Sequence, residues 1–167
     1  ASSTPSPQAA VVANLTLYAS KYEEEFAPYL PGCSQLVWQC LTDMDLDAKF
    51  DGLAISAMKF LATVSSKAMN RGIFTPEILQ QIIEQIVVRN LTISDADVEA
   101  FEDQPMEYIR KDFEGNDQDT RRRAGADLAR VLLKGFGASV QDICLAGIRS
   151  MLAMYTSAPQ QNWKAKV

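Results

Sequence analysis

Apolar residues in this chain recur at helical spacing, in paired blocks that repeat every 40 residues or so. Nowhere do they alternate as a half-buried strand would. Between residues 9 and 26, Val11, Val12, Leu15, Tyr18, Ala19, Tyr22 and Phe26 fall at i, i+3, i+4 and i+7 steps, one stripe of an amphipathic helix. Pro28 and Pro31 interrupt that run, and a second helix follows through Leu36, Val37, Trp38, Cys40 and Leu41. A third is predicted from Lys49 to Lys67. Its apolar residues Leu53, Ile55, Ala57, Met58, Phe60, Leu61 and Val64 occupy more than one side, as in a helix flanked on two faces. Asn70-Arg71-Gly72 is read as its stop. Thr75-Pro76 opens a fourth helix as N-cap and first helical residue, carrying Ile78, Leu79, Ile82, Ile83, Ile86, Val87 and Val88 to about Asn90.

The pattern resumes with a fifth helix over 119–134, with Ala124, Leu128, Val131 and Leu132 inward, stopped by Gly135-Phe136-Gly137. A sixth runs over 139–155. The spacing predicts an all-α chain: a slice of a HEAT/armadillo-type α-α superhelix with about three antiparallel helix pairs, at 8–46, 47–91 and 119–158. Residues 1–7 are expected to be disordered, and 159–167 to start a further repeat or form a tail. The end faces of such a slice, with Val11, Leu15 and Tyr18 on one and Ile148, Met151 and Trp163 on the other, should be apolar and exposed.

Residues 92–118 break the period. Ten carboxylates lie between Asp95 and Asp119. Apolar residues are too few for a core helix, although Val98, Phe101, Met106, Tyr108, Ile109 and Phe113 could anchor the segment. It ends at Arg121-Arg122-Arg123, in the first turn of the fifth helix. The positive end of the helix dipole disfavours cations there, so three of them call for partners. The segment reads as an ordered, charge-paired acidic insertion in a loop-like stretch. Three readings of the triplet are open: pairing with Asp117, Asp119 and Asp127 inside its own repeat, contact with a carboxylate surface on a partner, or a nuclear localisation signal. The last fits worst, because a helix is not an extended, accessible peptide.

Composition narrows the function classes. The chain has 167 residues, no histidine and a net charge of -5. The commonest general base and metal ligand is therefore missing. The acidic balance argues against nucleic acid as the main partner. No run approaches a membrane span, and the first residues lack the regions of a signal peptide. Cys33, Cys40 and Cys144 show no metal spacing and read as buried free thiols in a reducing compartment. Asp43-Met44-Asp45-Leu46-Asp47 begins like a calcium loop, but Ala48 and Ala54 stand where Gly and Glu are required. The sequons at Asn14 and Asn90 fall in or beside predicted helices and read as coincidence. With no nucleophile–base pair, no phosphate loop and no metal cluster, the chain does not read as an enzyme, and no cofactor is expected.

Several strings carry a resemblance. They are residues 17–26 (LYASKYEEEF), 58–64 (MKFLATV), 101–103 (FED), 107–110 (EYIR), 112–124 (DFEGNDQDTRRRA) and 162–164 (NWK). The chain closely resembles the importin-α re-exporters of the importin-β superfamily, from about Val12 to Lys166. EYIR alone points only to the superfamily, and the longer 112–124 run narrows it to the re-exporters. The resemblance implies a central slice of a larger solenoid. It also implies two partners, importin-α and Ran-GTP, and shuttling between nucleus and cytoplasm. The acidic segment would be the long insertion of a central repeat, linked in that family to Ran contacts and to closing of the empty ring. The partner-binding residues it suggests are Arg110, Lys111, Asp112, Glu114, Asp117, Asp119, Arg121, Arg122 and Arg123. The competing reading is a generic armadillo/HEAT scaffold for protein–protein interaction without Ran dependence. A plain scaffold has no need of this acidic-then-basic sequence.

Overall fold

A computed structural model describes residues 6–113 and 120–165, with 111–113 described as backbone. Six of the helices form the frame: α1 (Pro7–Lys21), α3 (Leu30–Asp43), α4 (Asp51–Ser66), α5 (Pro76–Gln81), α9 (Arg121–Phe136) and α10 (Ala138–Ser157). A one-turn α2 (Glu23–Phe26) lies between α1 and α3. A π-helical stretch, Ile82–Val88, and a last turn, α6 (Arg89–Leu91), extend α5. No strand occurs among the described residues. Helices α1, α4 and α9 pack side by side in one layer. Helix α3, the α5–α6 rod and α10 form the second. The fold is a helical solenoid, as the apolar period predicts.

Helix α4 lies at the centre, between α1 and α9. Ala57, Met58 and Phe60 are wholly buried there, and Leu61 and Val64 nearly so. This explains an apolar set spread over more than one face. The rest of the core comes from Leu79, Ile82 and Ile86 on the α5–α6 rod and from Leu128 and Leu132 on α9. Val131 is half-buried. The outer helices are unevenly covered. Val140 is the buried residue of α10, while Ile148, Leu152 and Trp163 are exposed, as are Val11 and Tyr18 at the other end. Leu15 and Met151 are half-buried.

Local chemistry moves several expected boundaries. Ser6 caps α1, with Pro7 as its first residue, so helix begins inside the stretch expected to be disordered, and residues 1–5 lie outside the described residues. The apolar stripe continues to Phe26, yet the helix breaks at Tyr22 (φ −129°, ψ 57°). Lys67 closes that break: its Nζ donates to the Ser20 carbonyl at 3.3 Å and pairs with Glu23. Pro31 does not break a helix. It sits in the first turn of α3, where its missing N–H costs nothing. Helix α4 ends at Ser66, before Gly72, and the buried Asn70 amide caps it by donating to the Val64 carbonyl at 3.1 Å. Thr75 caps α5 as expected.

The π-helical stretch is rich in Ile and Val. Gly137, at φ 49°, joins α9 to α10 with no other linker residue. That left-handed backbone is favourable only for glycine.

Candidate functional site: the acidic insertion and its roots

The described part of the insertion, to residue 113, is a helical hairpin. This corrects the expectation of a loop-like stretch. Helix α7 (Asp95–Asp103) and helix α8 (Pro105–Phe113) pack on each other. Neither buries a described residue, in keeping with the shortage of apolar side chains. Phe101 and Ile109 are exposed and Met106 strongly so, so these three do not anchor it, whereas Val98 and Tyr108 are half-buried. Local chemistry supports the helices instead. Ser94 and Asp97 form a capping box: the Asp97 N–H donates to Ser94 Oγ at 3.1 Å, and the Ser94 N–H donates to Asp97 Oδ2 at 2.9 Å. Asp95 and Asp97 also suit the positive end of the helix. Pro105 opens α8. The Tyr108 ring meets Phe101 edge-on, with centroids 5.9 Å apart.

Asp97 is the hub. Its carboxylate accepts from Ser94 Oγ at 2.7 Å, from Tyr108 OH at 3.3 Å and from Arg122 Nη2 at 3.1 Å. Arg122 Nη1 also reaches Tyr108 OH at 3.5 Å. Partial burial pushes the Asp97 carboxyl up. The Ser94 hydrogen bonds, Arg122 and Tyr108 more than offset this and hold it below the usual aspartate value. Lys164 adds a second tether, 2.6 Å from Asp95.

Arg121 points elsewhere. Its side chain is 11% exposed and lies on the junction between α3 and α4. Nε donates to Asp51 Oδ1 at 2.5 Å, and Nη1 and Nη2 reach the carbonyls of Asp45 and Asp47 at 3.2 and 3.1 Å. Arg89 holds the same junction from the other root of the insertion. It donates to the carbonyls of Leu41, Thr42 and Met44 at 3.5, 3.0 and 2.7 Å. Three carbonyls of the run that begins like a calcium loop, those of Met44, Asp45 and Asp47, are thus taken up by guanidinium groups. Asp47 turns back to accept from the Lys49 N–H at 3.0 Å, capping a short 3-10 turn.

The arginine triplet therefore divides. Arg121 and Arg122 reach beyond their own repeat, to the junction between the first two helix pairs and to the insertion. Asp127 pairs with Arg130 instead. The Arg123 N–H donates to the capping Thr120 Oγ1, and its side chain is exposed, with no ion pair among the described residues. Arg110 is exposed on α8. The side chains of Lys111 and Asp112, and the whole of Glu114, Asp117 and Asp119, lie outside the described residues. The sequence did not reveal Arg89, Asp51, Asp97 or Lys164. Only Asp97 carries a local signal, in the Ser-x-x-Asp spacing of a capping box. Of the three free thiols, Cys33 and Cys144 are half-buried, but Cys40 is exposed on α3, against expectation. Partial burial raises the Cys144 thiol.

Comparison with known proteins agrees with this architecture. The Cse1 family model matches residues 4–167. Exportin-2 of Xenopus laevis is 44% identical over 154 residues, covering 92% of this chain and 16% of the relative. Exportin-2 of Homo sapiens is 43% identical over the same length, with the same coverage of both. Exportin-2 of Drosophila melanogaster is 41% identical over 160 residues, covering 95% of this chain and 16% of the relative. Among solved structures, the exportin Cse1 in its cargo-free, cytoplasmic state superimposes with a TM-score of 0.87 at 36% identity, covering 95% of this chain and 17% of that one. The chain spans only about a sixth of the length of these relatives. A solenoid frame, a charged hairpin rooted between its second and third helix pairs, and identity above 40% across nearly the whole chain lead to one conclusion: the chain belongs to the Cse1 family of exportins.

Proposed function

We propose that this chain is the central part of a nuclear transport receptor that carries importin-α from nucleus to cytoplasm as a complex with Ran-GTP. The observation that carries this reading is the similarity to exportin-2 over 92% of the chain, insertion included. A carrier of this kind must hold cargo only while Ran-GTP is bound, so the two binding events are coupled in free energy. A charged hairpin standing off the solenoid is suited to such coupling, because its charged helices are exposed along most of their length. Exposed pairs contribute only about 0.2–1 kcal/mol each, so recognition needs several together. The residues assigned to partner contact are Arg110 and Arg123, with Lys111, Asp112, Glu114, Asp117 and Asp119 beside them. Arg121 and Arg122 serve that surface by fixing its roots.

The receptor shuttles through the nuclear pore in this reading and acts as a carrier rather than an enzyme. The test is capture of importin-α by the full-length parent protein, with and without Ran-GTP. Retention that requires Ran-GTP is expected. Equal retention in both conditions, or none in either, would favour a scaffold without Ran dependence.

A further inference from the structure

The two roots of the insertion grip the same junction, the end of α3 and the loop that follows it. Arg89 precedes the hairpin and Arg121 follows it, and together they satisfy five backbone carbonyls between Leu41 and Asp47. Arg122, one residue beyond Arg121, holds the hairpin itself through Asp97. Consecutive residues of a helix point about 100° apart. The first turn of α9 therefore reaches the α3–α4 junction with one side chain and the insertion with the next. A rigid turn with two such attachments cannot shift at one without disturbing the other.

We propose that the roots of the insertion are a mechanical relay: the seating of the α7–α8 hairpin on Arg122 and the ordering of the α3–α4 junction, the end of α3 with the loop at 44–47, by Arg89 and Arg121 are coupled, so whatever lifts the hairpin loosens the junction between the first and second helix pairs. Three features support this. The Arg121 side chain is nearly buried and its bond to Asp51 is partly buried, so leaving the junction gives up a charge-assisted hydrogen bond. Residues 44–47, between α3 and the 3-10 turn Ala48–Phe50, carry no helix, so their order depends on these donors. The hairpin has no buried described residue, so it can leave its seat without opening the core. The relay does not depend on the identity of any partner. It stands or falls separately from the transport reading.

Amide hydrogen exchange on the whole chain tests it in both directions. Asp97→Ala removes the hairpin's seat on Arg122 and leaves it the Lys164 tether. Exchange of hairpin amides should quicken, and so should that of the loop amides, Lys49 and Phe50 included, by about tenfold, while amides at 57–61 in the α4 core stay protected. Arg121→Gln releases the loop. By reciprocity the hairpin amides should then also exchange faster. A purely global loss of stability is distinguishable, because it quickens the α4 core and leaves locally opening amides as they were. If Asp97→Ala opens the core, the isosteric Asp97→Asn replaces it. A hairpin that loosens while the loop keeps its protection, or a loop that loosens while the hairpin keeps its own, would overturn the relay.

Discussion

Arg121 and Asp51 meet at 2.5 Å across 70 residues of sequence, joining the first turn of α9 to the first turn of α4. The pair settles how a cation is accommodated where the helix dipole disfavours it. A carboxylate and two backbone carbonyls at the junction of the first two helix pairs surround the guanidinium. Arg121→Ala leaves these acceptors without their donor. A loss of about 1.5–3 kcal/mol is expected, since hydrogen bonds to charged groups lie in that range. Urea denaturation of the two proteins side by side measures it.

Helix α9 offers an internal comparison. Leu128 is fully buried and Leu133, on the same helix, is about half exposed. Leu128→Ala should cost about 2–5 kcal/mol, through lost transfer free energy and the cavity left behind. Leu133→Ala should stay within about 0.5 kcal/mol. Similar losses at both sites would contradict the packing of α9 against α4.

The seat of the insertion should respond to acid. The Asp97 carboxyl is held below its ordinary value despite partial burial. Its folded value lies below the unfolded one, so its contribution is complete above the ordinary aspartate value of about 3.9 and fades as pH falls through the folded value. Ser94→Ala removes one of the lowering hydrogen bonds and should move the Asp97 titration upward. Carboxyl carbon NMR across the acid range reads this directly. An unchanged midpoint would mean that Ser94 does not support the carboxylate.

At the tip of the basic triplet, Arg123 is the arginine turned to solvent. Arg123→Glu should leave circular dichroism and melting unchanged. In the full-length parent it should weaken Ran-GTP-dependent binding of importin-α by about fivefold, the effect of losing one exposed pair of up to about 1 kcal/mol. Added salt should erase the difference, because exposed charges are screened.

The apolar faces at the two ends of the stack predict association of the chain in isolation. Ile148, Leu152 and Trp163 are exposed on and beyond α10, as are Val11, Tyr18 and Tyr22 on and beside α1. Light scattering should show an apparent mass that rises with concentration. Ile148→Lys should suppress the rise, and a constant monomer mass for the parent sequence would count against these faces as contact surfaces.

The frame of the fold was legible because burial writes itself into sequence as a period. Helix α4 shows this best, with Ala57, Met58, Phe60, Leu61 and Val64 all buried. Start signals were legible too: Thr75-Pro76 reads as the start of a helix, and Thr75 Oγ1 accepts from the Ile78 N–H at 3.4 Å. The hairpin was not. Its helices bury no described residue, so they carry no core stripe, and their supports are a capping box and a proline. The roots were illegible for another reason. The Arg89 acceptors lie 45 to 48 residues away and the Arg121 carboxylate 70 away. Nothing in local spacing records such distances. The triplet was visible as an anomaly, but the sequence could not say that its members go separate ways.

The π-helical winding over Ile82–Val88 makes chain length itself a determinant of the insertion's anchorage. A π turn accommodates a residue more than an α turn would. Deleting one residue from that stretch would let it relax into an ordinary α-helix and turn everything beyond it by about 100°. Arg89 would swing away from the end of α3, although every side chain that grips the loop would still be encoded. At this position a frame-preserving deletion of a single codon is more disruptive than most substitutions, because it resets the angular phase of the helix on which the insertion is mounted.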